Sequence, residues 1–206
     1  ASGANLTLTN GETIGSLTGV AGTTVTLGAN TLTTGDTTNT TYAGAIGGSG
    51  GISKAGTGTW TLSGANTYTG KTSIQNGALS VSSLNSVTGG GASSSLGAPT
   101  TGPDGTIDLG STTTTGSLVY TGGGETTDRV INLAGTTGGG TIDQSGTGLL
   151  KFSSALTATG AGIKTLTLQG SNTGTGEIAA ALVDSGGGKT ALTKAGTGTW
   201  TLSGAN

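Results

Sequence analysis

Asp104 and Asp128, with Asp108, Glu125 and Arg129 close by, are the densest gathering of reactive side chains in the chain. A pair of stacked carboxylates can serve as acid and base on a glycosidic bond, hold a calcium ion or, beside Arg129, seat an anionic sugar. A plainer reading competes with it: Pro103-Asp104-Gly105 is a turn, in which an aspartate bonds nearby backbone amides. The remaining sequence gives such chemistry little support. With no His, no Cys and no Met, a Ser-His triad, a cysteine nucleophile, ordinary zinc or haem ligation and disulfides all fall away. Nine carboxylates and no His leave acid and base work without clear performers, so the chain is expected to be no enzyme and to use no cofactor and no metal. Trp60 and Trp200 are the other candidates; two indoles could stack on a sugar, but they stand far apart in the chain and packing within the fold is the favoured role.

The elements that must position these residues are written in an unusual alphabet. Gly supplies 45 and Thr 46 of the 206 residues, and seven Lys and Arg against nine Asp and Glu leave a net charge of -2. Seven scattered cations cannot neutralise a row of phosphates, which argues against nucleic acid. No run approaches the ~20 apolar residues of a membrane helix. Leu, Ile, Val and Phe make up only 37 of 206 residues, but the high net charge of disordered chains is missing. Collagen is excluded because Gly has no period of three and Pro occurs only at Pro99 and Pro103.

Order shows in the alternation. Leu6-Thr7-Leu8, Val25-Thr26-Leu27, Trp60-Thr61-Leu62, Leu79-Ser80-Val81, Ile107-Asp108-Leu109, Ile131-Asn132-Leu133 and Leu166-Thr167-Leu168 each read as a short strand with one buried face, closed by Gly. The stretch Glu177 to Asp184 is read as a strand as well. Repetition is stronger still. Lys54 to Asn66 recurs without change as Lys194 to Asn206, and an offset of 24 lays Ile107 on Ile131, Leu109 on Leu133, and Leu118 on Ile142 and then Leu166. The same offset stacks Asp104 on Asp128. Units that cannot bury their own apolar residues must stack, so the fold expected is all-β, a right-handed parallel β-helix or solenoid with about 22–24 residues per coil and eight or nine coils. At ~4.8 Å per coil that makes a rod on the order of 40 Å long. A β-sandwich is the alternative, and only Asn10-Gly11 and Asn76-Gly77 offer its hairpin signal.

The segment Gly50 to Gly70, continuing through Thr72, Ile74, Gly77, Leu79 and Val81, resembles the autotransporter-associated β-strand repeat of passenger domains in Gram-negative type V secreted proteins. Lys54, Gly56, Gly58, Trp60, Leu62, Gly64, Asn66 and Tyr68 carry that likeness, and Lys194, Gly196, Gly198, Trp200, Leu202, Gly204 and Asn206 repeat it. The motif copies are placed at 50–81 and 186–206 within one segment, 1–206, expected to be an interior piece of a longer rod. The resemblance implies a structural or adhesive rod, extracellular or at the surface of a Gram-negative bacterium, that assists passenger folding, export and reach. Its implied partners are further repeats of the same chain, self-association end to end or side by side, and a host or surface receptor of unspecified kind, with no membrane contact in this segment. A glycan-binding or glycan-active β-helix built on Asp104 and Asp128 is the alternative reading, and an ice-binding Thr array, suggested by Thr112-Thr113-Thr114-Thr115, the third. Asn5-Leu6-Thr7 and Asn39-Thr40-Thr41 match a glycosylation acceptor, and Gly138 to Asp143 is similar to a single calcium-binding nonapeptide.

Overall fold

In a computed structural model describing residues 3–171 and 173–205, the Thr-rich bursts become short strands because a β-branched residue suits a pleated surface and its hydroxyl can face water. The first coil carries β1 (Asn5–Thr7) and β2 (Glu12–Ile14), and the second β3 (Thr24–Thr26), β4 (Leu32–Thr34) and β5 (Thr40–Tyr42). Next come β6 (Ala45–Gly47), β7 (Ile52–Lys54) and β8 (Thr59–Leu62), then β9 (Thr72–Ile74) and β10 (Gly77–Val81). A single helical turn, α1 (Gly102–Gly105), precedes β11 (Ile107–Leu109) and β12 (Gly116–Tyr120). The remaining coils hold β13 (Glu125–Thr127), β14 (Ile131–Leu133) and β15 (Gly140–Gln144); β16 (Leu149–Phe152), β17 (Thr157–Ala158) and β18 (Lys164–Gly170); β19 (Thr175–Ile178) and β20 (Thr190–Lys194); and β21 (Thr199–Leu202).

Strands named in this order pass around three faces, some coils having no named strand on one of them, and every named pair is parallel, so the chain is a parallel β-solenoid of about eight coils. The first face holds β1-β3-β6 and, farther along, β13-β16-β19-β21; the second runs from β2 to β17 and the third from β5 to β20, seven strands each. Inward columns fill the interior. On the third face Trp60, Leu79, Leu118, Ile142 and Leu168 lie in register, and on the second Leu32, Ile52, Thr72, Ile107 and Ile131. All but Thr72 are apolar and all are buried, each apolar side chain worth about 1.5–3 kcal/mol for leaving water.

The ladder expected from the sequence holds for Ile107 on Ile131, Leu109 on Leu133 and Leu118 on Ile142. It slips once: Ile142 pairs with Leu168, and Leu166 with Gly140, because the coil running from Ile142 to Leu168 is longer than the one before it. Both leucines still point inward, since a slip of two preserves the side-chain alternation. Coil length falls in two ranges, 19 to 21 and 24 to 26 residues. Leu32, Ile52 and Thr72 pair in steps of 20, whereas later steps are 24 to 26, such as Gly116 to Gly140 and Lys164 to Thr190. The 22–24 read from the sequence meets the later range at 24 and exceeds the earlier one. Between the two regimes one long coil runs from Thr72 to Ile107 on the second face and from Gly77 to Gly116 on the third, the excess lying in 82–106. Of the stretch 177–184, only Glu177 and Ile178 are strand.

Candidate functional site

The repeat is built around a corner. Lys54 ends β7 buried, and its ammonium donates to the carbonyls of Ala55, Gly56 and Asn76, which satisfies the chain where it leaves the sheet. Burial pushes this lysine's pKa down, and the Asp36 carboxylate pulls it back up. Gly56 takes φ +67, and a Cβ at Gly58 would stand 2.0 Å from the carbonyl oxygen of Thr38 in the coil below, so the turn admits only glycine. Trp60 and Leu62 then point inward. Past the next tight corner, at Gly64, the buried Asn66 accepts from the Ile46 amide at 2.8 Å and donates to Ser95 O at 2.7 Å, standing in for a strand on the first face. Tyr68 closes the unit, buried, with its hydroxyl 2.8 Å from that of Thr72; burial raises its pKa to about 12, against the pull of Arg129 and the Thr72 bond.

The second copy repeats the corner one face farther round. Lys54 and Trp60 occupy the second and third faces, whereas Lys194 in β20 and Trp200 in β21 occupy the third and first. Lys194 again donates to the two carbonyls that follow it, Ala195 and Gly196, and Gly196 again has a positive φ, +63; Gly198 again packs on the chain below, at Ser171 O. Trp200 is half-buried and donates from Nε1 to Gln169 O at 2.8 Å, Leu202 is exposed, and Gly204 lies against Ala180. Asn206 lies outside the described residues. A third, degenerate copy escaped the sequence reading: Gln144-Ser145-Gly146-Thr147-Gly148 turns the corner from β15 to β16 with Gln144 donating to Gly148 O, and Leu150 and Phe152 take the inward places of Trp and Leu. The shared Gly-Thr-Gly was the available signal.

The acidic cluster proves to be a clamp on the insert 82–106. Its returning arm lies antiparallel on the chain at Asn66, with Asn66 and Ser94 exchanging backbone bonds and the Ala98 amide donating to Tyr68 O. Its outgoing arm faces β13, where two carboxylates replace a backbone ladder. Glu125 accepts the amides of Leu84 and Asn85; Asp128 accepts those of Val87 at 2.6 Å and Thr88 at 2.9 Å. Burial raises the Asp128 pKa, but its amide bonds together outweigh that and hold it below the usual carboxylate range. Arg129, fully buried, fastens the base of the insert through Gly105 O at 2.8 Å, Leu84 O at 3.0 Å and Leu96 O at 2.7 Å. Burial draws its pKa down, and Tyr68, Glu125 and Asp128 draw it up.

Asp104 does not join this group as a stacked partner of Asp128. It sits in α1, where the Thr101 hydroxyl donates to it at 2.6 Å, as a turn aspartate should. Asp108 faces outward and pairs with Lys71 at 2.8 Å and Asn132 Nδ2 at 2.8 Å. Each carboxylate is thus held by its own local partners, and among the described residues no group of three or more His, Cys, Asp or Glu is arranged to hold a metal ion.

Comparison with known proteins agrees with the repeat geometry. The model of the passenger-associated-transport-repeat matches residues 52–81 and 192–206, the two corner units. An autotransporter of Brucella suis biovar 1 (strain 1330), named adhesin BmaC, is 41% identical over 159 residues, covering 74% of this chain and 4% of that protein, so the chain spans a small part of its relative. No solved structure matches. The chain therefore carries two autotransporter passenger repeats, built into a β-solenoid.

Proposed function

We propose that this segment is a structural and adhesive rod of a secreted or surface-displayed Gram-negative protein, without catalytic duty of its own, that supports folding, export and reach. The observation that carries the reading is the coincidence of the two matched repeats with corners that close coils around one apolar interior. Likeness to an adhesin supports the adhesive part. Among the described residues β1, β2, β20 and β21 each pair with a named strand on one side alone, the kind of edge on which repeat coils stack. Deleting one unit, 52–81, in the producing bacterium and measuring surface immunolabelling and adherence tests the proposal. Reduced display and adherence are expected; unchanged values for both would overturn it.

A further inference from the structure

A concave strip of about 440 Å³ crosses the second face over three coils. Thr33, Ser53 and Ser73 stand along it in register, one outward hydroxyl residue per coil. Gly50, Gly51 and Gln75 also line it, together with Asp104 of α1 and Lys71, which is ion-paired to Asp108. Ser53 is 5% exposed and its hydroxyl has no hydrogen-bond partner among the described residues, an incomplete bond at the centre of the strip. A buried hydroxyl left open carries a cost, and a turn of the Ser53 side chain toward the strip would let a ligand oxygen remove it.

We infer that this groove binds a neutral saccharide chain lying along the rod axis. Apart from Ala29 and Ile52 the lining is hydroxyl, amide, backbone and two charges; the Lys71 ammonium is neutralised by Asp108 and Asp104 adds a carboxylate, which disfavours an anionic ligand. Hydroxyl residues recurring at the coil spacing of ~4.8 Å offer an extended polyol one polar contact per coil, about one sugar unit each. An extended peptide alternates its side chains and repeats at twice the ~3.3 Å rise per residue, out of step with that row. The inference rests on the adhesive reading above and names the ligand class it would use. The insert takes part, since α1 contributes Asp104 to the lining.

The test is amide chemical-shift perturbation of the whole chain titrated with cellohexaose, laminarihexaose and maltohexaose, beside a sulfated heparin hexasaccharide and a serine hexapeptide. At least one neutral hexasaccharide is expected to shift Thr33, Ser53 and Ser73 at millimolar concentration. Ser73→Leu, half-buried and outward, should abolish the shifts, and Ser53→Val should weaken affinity about tenfold with its thermal melt preserved. No perturbation by any of the three neutral sugars, shifts confined elsewhere, preference for the sulfated sugar or the peptide, or indifference to both variants would each overturn the inference. Those outcomes leave display and adherence of the 52–81 deletion to be judged separately.

Discussion

Trp60 and Trp200 hold the same place in two identical segments yet lie on adjacent faces of the rod, Trp60 paired with Leu79 in β10 and Trp200 with Gly176 in β19. Five coils and one face separate them, so identity of sequence fixes the corner and leaves its direction to the residues between. Their surroundings differ too: Trp60 is 1% exposed and its Nε1 lacks a partner among the described residues, whereas Trp200 is half-buried and bonded to Gln169. Trp60→Ala should therefore cost about 3–5 kcal/mol and Trp200→Ala on the order of 1–2 kcal/mol, read by urea denaturation. Acrylamide should quench the remaining fluorescence of Trp60→Ala much more than that of Trp200→Ala.

The clamp predicts a local effect. Glu125→Ala strands the amides of Leu84 and Asn85 and should lose about 1–3 kcal/mol. Limited proteolysis should then cut near the exposed Gly89-Gly90-Gly91 tip faster than in the parent, with the other coils remaining protected. Equal cutting would show that the carboxylate does not hold the arm.

Interior and corner should respond differently to the same charge. Ile142, buried in register between Leu118 and Leu168, should lose at least about 4 kcal/mol as Ile142→Asp, because the carboxylate has no partner there. Thr113→Asp, exposed at a turn, should change stability by no more than about 0.5 kcal/mol. Circular-dichroism melts of the two variants decide this.

Stability should fall at both ends of the pH scale. Asp36, Asp128, Glu177 and Asp184 have folded pKa values below their unfolded ones, so what they add is complete above about pH 5 and declines as pH drops through about 4 and below. Tyr68 acts oppositely. Its pKa of about 12 exceeds the unfolded value near 10, so the unfolded chain loses its proton first and stability declines between those values, by at most about 2–3 kcal/mol. Tyr68→Phe should flatten the alkaline limb of a plot of melting temperature against pH and leave the acid limb in place.

The fold was legible because its signal is periodic. Alternation placed the inward residues, and Gly marked the corners; the repeat at Lys54 and Lys194 identified the unit that the comparisons also match. What escaped was anything set by coil length. A fixed offset of 24 put Asp104 beside Asp128 and Leu166 over Ile142, but α1 departs from the ladder and the coil from Ile142 to Leu168 is longer than the one before it. Arg129 was visible only as a charge beside acids. Its burial beneath Leu84 and Leu96 depends on a hairpin, 82–98, that packs on the chain at Asn66 and on the residues of and after β13, and no local pattern announces that.

The two coil sizes bear on material economy. Each coil advances the rod by the same ~4.8 Å strand spacing, whether it is a short early coil such as Leu32 to Ile52 or a long later one such as Glu125 to Leu150. The early coils thus gain about a quarter more length for each amino acid synthesised. The later coils spend part of their extra chain on corner turns such as Ser111 to Thr114 and Ser185 to Gly188. The stretch that carries the insert thus joins a lean length of rod to one that spends more chain on each coil.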